Sequence, residues 1–174
     1  MSDPPNGGRP SMLVPVTISR LLIREMADSQ FVTLQEVDGV RSFPIAIGLT
    51  EAFAIERRMG GDVPPRPQTH DLLASVIATL GATLQRIEIH ELDSGTFHAR
   101  LVLDHQGDVV LIDSRPSDAL ALGVAEGTPV MVEEKVIEMA SESSNLSTEG
   151  DYDPDIQVDQ SFDEELDDDE AGFE

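Results

Sequence analysis

Residues 31–47 read FVTLQEVDGVRSFPIAI, two runs of alternating apolar and polar residues either side of Asp38-Gly39. Alternation with period two puts successive side chains on opposite faces of a strand, and Asp-Gly supplies the positive-φ pair of a two-residue type I′ turn. The turn predicts a register. Leu34 falls opposite Phe43 on one face and Glu36 opposite Arg41 on the other, so apolar and charged residues each meet their own kind.

Working outward, residues 13–24 read as a preceding strand, and Thr50 as the cap of a helix that ends at Met59, before Gly60-Gly61 and Pro64, Pro65 and Pro67. A second helix has Thr69 as N-cap, His70 and Asp71 in its first turn, an apolar face of Leu72, Leu73, Val76, Ile77 and Leu80, and Gly81 as its end. Residues 84–92 and 96–104 predict another hairpin, with Asp93-Ser94-Gly95 as a three-residue bulged loop. That register sets Glu88 opposite Arg100 and His90 opposite His98. The unbroken apolar run Val109-Val110-Leu111-Ile112 predicts a central strand covered on both faces. Pro116 then sits in the first turn of a buried helix reaching Ala125 and closed by Gly127; residues 130–132 follow as a short strand and 133–140 as a last helix.

The order hairpin, then helix, occurs twice, at residues 31–59 and 97–124, each helix opened by hydroxyl, acid, alanine: Thr50-Glu51-Ala52 and Ser117-Asp118-Ala119. An internal duplication would leave this pattern, with residues 60–81 inserted; two unrelated hairpin-helix units would read the same. Either way the expected fold is α+β: a mixed, mainly antiparallel sheet built from two hairpin-helix units, with an inserted amphipathic helix.

The chain has 174 residues and no cysteine, which excludes disulfides and zinc-thiolate centres. Composition divides it into a polar head at 1–11, a folded core at 12–140 and an acidic tail at 141–174. The head lacks the apolar core of a signal peptide and no run is long enough to span a bilayer, so a cytoplasmic protein is expected. Formal charge is −23, from 34 acids against 11 bases; the tail carries 14 acids and no base, leaving −9 for the rest. Long-range attraction to nucleic acid of the basic-patch kind is therefore disfavoured, and any such contact must be local.

Two segments repeat one chemical pattern: Pro65-Arg66-Pro67-Gln68-Thr69-His70-Asp71 and Ser114-Arg115-Pro116-Ser117-Asp118. An arginine and a proline precede a hydroxyl and an acid at a helix start. Unpaired N–H groups and the partial positive charge there, with an arginine beside them, suit a phosphate oxygen. Simple helix capping accounts for the same residues. The His90/His98 pair has too few ligands for a metal site, and there is no phosphate loop, nucleophile elbow or metalloprotease helix.

Phe43-Pro44-Ile45-Ala46-Ile47-Gly48 with Glu51-Ala52, then Pro65-Arg66-Pro67 with Thr69-His70-Asp71-Leu72, then Arg115-Pro116-Ser117-Asp118-Ala119 resemble the bifunctional nuclease domain family in order and spacing, over roughly residues 13–140. The resemblance implies an α+β fold of its own kind, a tendency to oligomerise, and cleavage of both RNA and DNA as reported for some plant members. It carries over motif positions rather than catalytic roles.

Two functions follow as expectations. In the first, a metal-assisted phosphodiesterase, Glu51, Asp71 and Asp118 hold magnesium or manganese, and Arg66, Thr69, Arg115 and Ser117 take the substrate. His70, Asp71 and Asp118 do the catalytic work, and RNA or DNA binds weakly and salt-sensitively. In the second, a non-catalytic regulatory or scaffolding domain binds a small anion or a protein partner in the same place. The three acids gathered within metal-bridging distance favour the first; spread apart, they favour the second. A homo-oligomer is expected in both cases, with a C2 dimer as the default.

Overall fold

The computed structural model describes residues 12–146 apart from 25 and 28; the predicted head and most of the predicted tail lie outside the described residues. The chain runs β1 (Leu13–Leu22), β2 (Gln30–Glu36), β3 (Ser42–Ile47), α1 (Leu49–Met59), α2 (Thr69–Thr79), β4 (Ala82–Asp93), β5 (Thr96–His105), β6 (Asp108–Ser114), α3 (Pro116–Gly123), β7 (Val130–Glu133) and α4 (Glu134–Leu146), with a 3-10 turn at Val124–Glu126. The seven strands form one sheet in the order β3-β2-β1-β7-β4-β5-β6. Every pairing is antiparallel except β4 with β7. The fold is therefore the expected mixed α+β arrangement. No helix among the described residues is long and apolar enough to cross a membrane.

The sheet order reads symmetrically about β7. Units β1-β2-β3-α1 and β4-β5-β6-α3 hold mirrored places, and β1 runs antiparallel to β7 while β4 runs parallel. A two-fold axis normal to the sheet would give this relation. The helices pack on one face, where Val32, Leu34 and Phe43 of one half and Ile87, Ile89 and Leu101 of the other join a single buried cluster with Ile55, Leu120 and Ile137. Helix α3 lies at its centre and is buried over nearly its whole length, as its apolar composition predicts. Gly123 lets it approach the sheet: a Cβ there would stand 2.7 Å from Ile87 Cδ1.

Several local expectations need correction. Leu34 does pair with Phe43, and the Glu36 amide donates to the Arg41 carbonyl at 3.1 Å. But neither Asp38 nor Gly39 has positive φ, so the connection is no type I′ turn. The Val37 amide instead donates to the Pro15 carbonyl of β1 at 3.0 Å, which opens the loop by one pair without changing the register. The tight turns are elsewhere: Ser94-Gly95 (φ 50° and 82°) and Gln106-Gly107 (φ 58° and 92°) are the two-residue, doubly left-handed connections.

Because the loop at Ser94-Gly95 has two residues rather than three, Glu91, not His90, faces His98. His90 is the extra residue of a β-bulge, and beyond it the expected register returns, with Glu88 opposite Arg100. Glu88 is buried on the sheet face away from the helices and accepts from Arg86 Nε and Arg100 Nε, each at 2.6 Å. Burial alone would raise its pKa; the two guanidinium groups outweigh that and hold it below the ordinary 4.5.

The predicted central strand at 109–112 is β6, the edge of the sheet, where Val109 is 70% and Leu111 53% exposed. Apolar composition there reports a surface that wants cover, not a place in the middle of this sheet. The apolar face of α2 also stays largely exposed, with only Ile77 buried. Helix α4 continues to Leu146, past the predicted end at Ala140.

Candidate functional site

Three helix starts meet, and each carries an acid three residues after its N-cap: Glu51 after Gly48, Asp71 after Gln68, Asp118 after Arg115. A carboxylate at that position is favoured by the unpaired N–H groups and the helix dipole. The N-caps are thus Gly48 and Gln68, not Thr50 and Thr69, and the hydroxyls fall inside the first turn. Capping therefore does not account for them. Only Asp71 reaches back in the usual way, accepting from the Gln68 amide at 3.0 Å.

The other two acids turn toward each other and share Arg115. Its Nε donates to Asp118 Oδ2 at 2.8 Å, its Nη2 to Asp118 Oδ1 at 3.2 Å, and its Nη1 lies 3.0 Å from Glu51 Oε1. Gly48 leaves room for the Glu51 carboxylate, since a Cβ there would run into Oε2. On the far side of Asp118, His70 Nε2 lies 3.3 Å from Oδ1, where Nε2–H can donate to the carboxylate. Burial would raise the pKa of Asp118, but the hydrogen bonds and charges of Arg115 and His70 outweigh it and hold the carboxyl below the ordinary 3.8. Its bond to Asp118, first, and its pairing with Glu51 raise the pKa of Arg115. The fork has five N–H donors, and these contacts use three.

Glu51, His70, Arg115 and Asp118 line one side of a cleft of about 750 Å³. Thr50, Phe53, Ala54 and Arg57 of α1 and Thr69 of α2 are among its other lining residues. Thr50, Phe53, Ala54 and Arg57 are spaced as one stripe of the helix. Ionisable lining residues are Glu51, Glu56, Asp62 and Asp118 against Arg57 and Arg115, with His70. The volume suits one nucleotide-sized ligand.

The structure does not gather every expected residue. Asp71 faces away from this cluster: Arg57 Nη2 donates to its Oδ2 at 3.0 Å and Arg58 Nη1 to its Oδ1. Arg58 is buried and also donates to the carbonyls of Ala121 at 2.5 Å and Leu122 at 3.0 Å, so Asp71 ties α2 through α1 to the end of α3. Glu51, Asp71 and Asp118 therefore do not form a ligand set, and among the described residues no three His, Cys, Asp or Glu side chains are grouped to hold a metal. The reason is electrostatic: each carboxylate already has a guanidinium partner. Arg66 is exposed in the loop before α2 and does not line the cleft; Ser117 is buried and does not line it either. Arg57, Arg58 and Phe53 were not predicted. The four-residue spacing from Phe53 to Arg57 was the available signal, since it puts both on the face of Thr50.

Comparison with known proteins agrees with the motifs. The model of the bifunctional nuclease domain matches residues 32–145. Two proteins of Mycobacterium tuberculosis, from strains CDC 1551 / Oshkosh and ATCC 25618 / H37Rv, are each 38% identical over 125 residues, covering 72% of this chain and 74% of the relative. Both carry only the name "uncharacterized protein".

Proposed function

The chain belongs to the bifunctional nuclease domain family, and we propose that it is a phosphodiesterase whose cleft engages RNA or DNA. The observation that carries this reading is the His70–Asp118–Arg115–Glu51 chain of contacts at the cleft wall. Asp118 accepts Nε2–H and so sets the tautomer of His70, leaving Nδ1 as the nitrogen that takes the proton of an attacking oxygen. Arg115, positioned by two carboxylates, offers its two remaining N–H groups to non-bridging phosphate oxygens. Thr69 and Arg57 line the same cleft. A divalent ion does not fit this donor set as it stands, because Glu51 and Asp118 are paired with Arg115 and Asp71 with Arg57 and Arg58.

The test is cleavage of labelled RNA and DNA by the full chain in magnesium, manganese or chelator, with Asp118→Asn and Arg115→Ala alongside. Cleavage that survives chelator and is lost in both variants is the expected result. Cleavage by both variants at the parent rate would refute the assignment.

A second reading has its own observation. Glu51, Asp71 and Asp118 are not gathered within metal-bridging distance, the arrangement expected of a regulatory or scaffolding domain without chemistry, and with acids outnumbering arginines in the cleft its partner would be a protein surface rather than a small anion. A folded protein that binds but never cleaves under any of the metal conditions would favour it.

We further infer a homodimer formed by antiparallel pairing of β6 with β6 of a second copy. The strand has an open backbone edge among the described residues and apolar side chains on both faces. Centring the pairing on Leu111 sets Asp108 opposite Ser114 and Asp113 opposite Val109, so no aspartate meets another. A one-residue slip that set Asp108 opposite Asp113 would not be tolerated as well.

A further inference from the structure

We propose that the cleft receives one unpaired nucleobase against the ring of Phe53, so that the substrate is single-stranded nucleic acid; this rests on the phosphodiesterase reading above. Phe53 is 43% exposed, while its neighbours Ala52 and Ile55 on the same helix are fully buried. The ring is thus outside the core cluster, and its exposure is at the cleft wall. Phe43, by contrast, is buried in the core and stacks on the partly buried Phe97 with centroids 5.6 Å apart.

Three features point to a base rather than to a generic apolar group. The ring shares its helical stripe with Thr50 and Arg57 and its cleft with His70, Arg115 and Asp118, so a base on Phe53 would belong to the nucleotide whose phosphate meets Arg115. The cleft, of about 750 Å³, has room for a base with its sugar and phosphate beside the ring. Finally, four acids against two arginines in the lining, on a chain of net charge −23, leave electrostatic attraction a poor source of affinity. Stacking has no such handicap, because every base presents a π-face and the contact carries no net charge. A paired base is already stacked and would have to leave the duplex, which selects for single strands.

The chain contains no tryptophan, so Phe53→Trp places its one tryptophan at the proposed contact, read by selective tryptophan excitation. Binding of a labelled single-stranded decamer and of the matching duplex is measured in chelator for the full-length parent, Phe53→Ala, Phe53→Leu and Phe53→Trp. Urea unfolding checks that each is folded. The expected result is preference of the parent for the single strand, about tenfold weaker single-strand binding by Phe53→Ala and Phe53→Leu, unchanged duplex binding, and quenching of Trp emission by the single strand alone. Equal single-strand affinity in parent and Phe53→Ala, or no quenching on saturation of Phe53→Trp, would overturn the proposal. Cleavage activity indifferent to Phe53 would leave the catalytic reading standing while this one fell. Phe53-dependent binding without cleavage would do the reverse.

Discussion

Replacing Asp71 by alanine separates a structural from a chemical role for a residue that sits in a family motif. Asp71 accepts from the Gln68 amide and from two guanidinium groups, and its side chain is 21% exposed while that of Arg58 is 7% exposed. Loss of the amide contact at a helix start costs about 1 kcal/mol. Stranding one partner of a buried ion pair costs about 3–5 kcal/mol, less here because Asp71 is partly solvated and Arg58 keeps its two carbonyl acceptors. Allowing for overlap, the sum is about 3 kcal/mol, a large share of the ~5–15 kcal/mol that holds a domain folded. Urea unfolding should show a lower midpoint with unchanged slope, and thermal unfolding a fall of roughly 10 °C. In an Arg58→Met background the same replacement should cost only about 1–2 kcal/mol, because the amide contact and the partly exposed pair with Arg57 are all that remain to be lost. Asp71→Ala with stability within about 0.5 kcal/mol of the parent but no cleavage would refute the reasoning and return Asp71 to the chemistry.

Asp118→Asn should show the opposite split: stability changed by less than about 1 kcal/mol, since its partner Arg115 is exposed and the carboxylate is half-exposed, but cleavage reduced at least about 100-fold, as measured in single-turnover assays. Folding lowers the pKa of Asp71 and Asp118 from 3.8 and of Glu88 from 4.5, so the unfolded chain binds more protons in that range. Stability should therefore be full above about pH 5 and fall progressively as pH drops below about 4, in a series of unfolding curves; a midpoint that rises on acidification would contradict this. Leu111→Lys should convert a dimer to a monomer in sedimentation at tens of micromolar without lowering the unfolding midpoint of the dilute protein, whereas a parent already monomeric there removes the β6 interface.

Hydrophobic alternation carried the fold well where one face of a strand is buried. Burial of one face keeps Leu34 opposite Phe43 although the turn from which that register is counted is not type I′, and Glu88 falls opposite Arg100 because the bulge at His90 offsets a loop one residue shorter than expected. Turn chemistry was less dependable: Asp38-Gly39 has the composition of a tight turn, but β1 offers the Val37 amide a carbonyl, and that tertiary bond decides the loop. Composition also cannot say what covers an apolar strand, which is why β6 reads as central and stands at an edge. For the site, the repeated spacing from helix start to acid was legible, and of the residues it singled out the structure places Glu51, His70, Arg115 and Asp118 in contact with one another while Asp71 and Arg66 stand apart. Which arginine each acid would take was not. Asp71 meets Arg57 and Arg58 because the end of α1 lies against the start of α2, a fact of packing that no local pattern encodes, and Arg66 is left outside.

The four residues of β7 bear on how the chain can be made. Strands β1 and β4 do not touch in the sheet; each is hydrogen-bonded to β7, which the ribosome delivers after both three-stranded halves. Until Val130–Glu133 emerges, the nascent protein holds two finished meanders with unpaired inner edges, and an N-terminal fragment stopped before β7 would keep them open. Translation that stalls or terminates in the short stretch between α3 and β7 should thus yield a species that sticks to its neighbours, although nearly all of the sheet has already been synthesised.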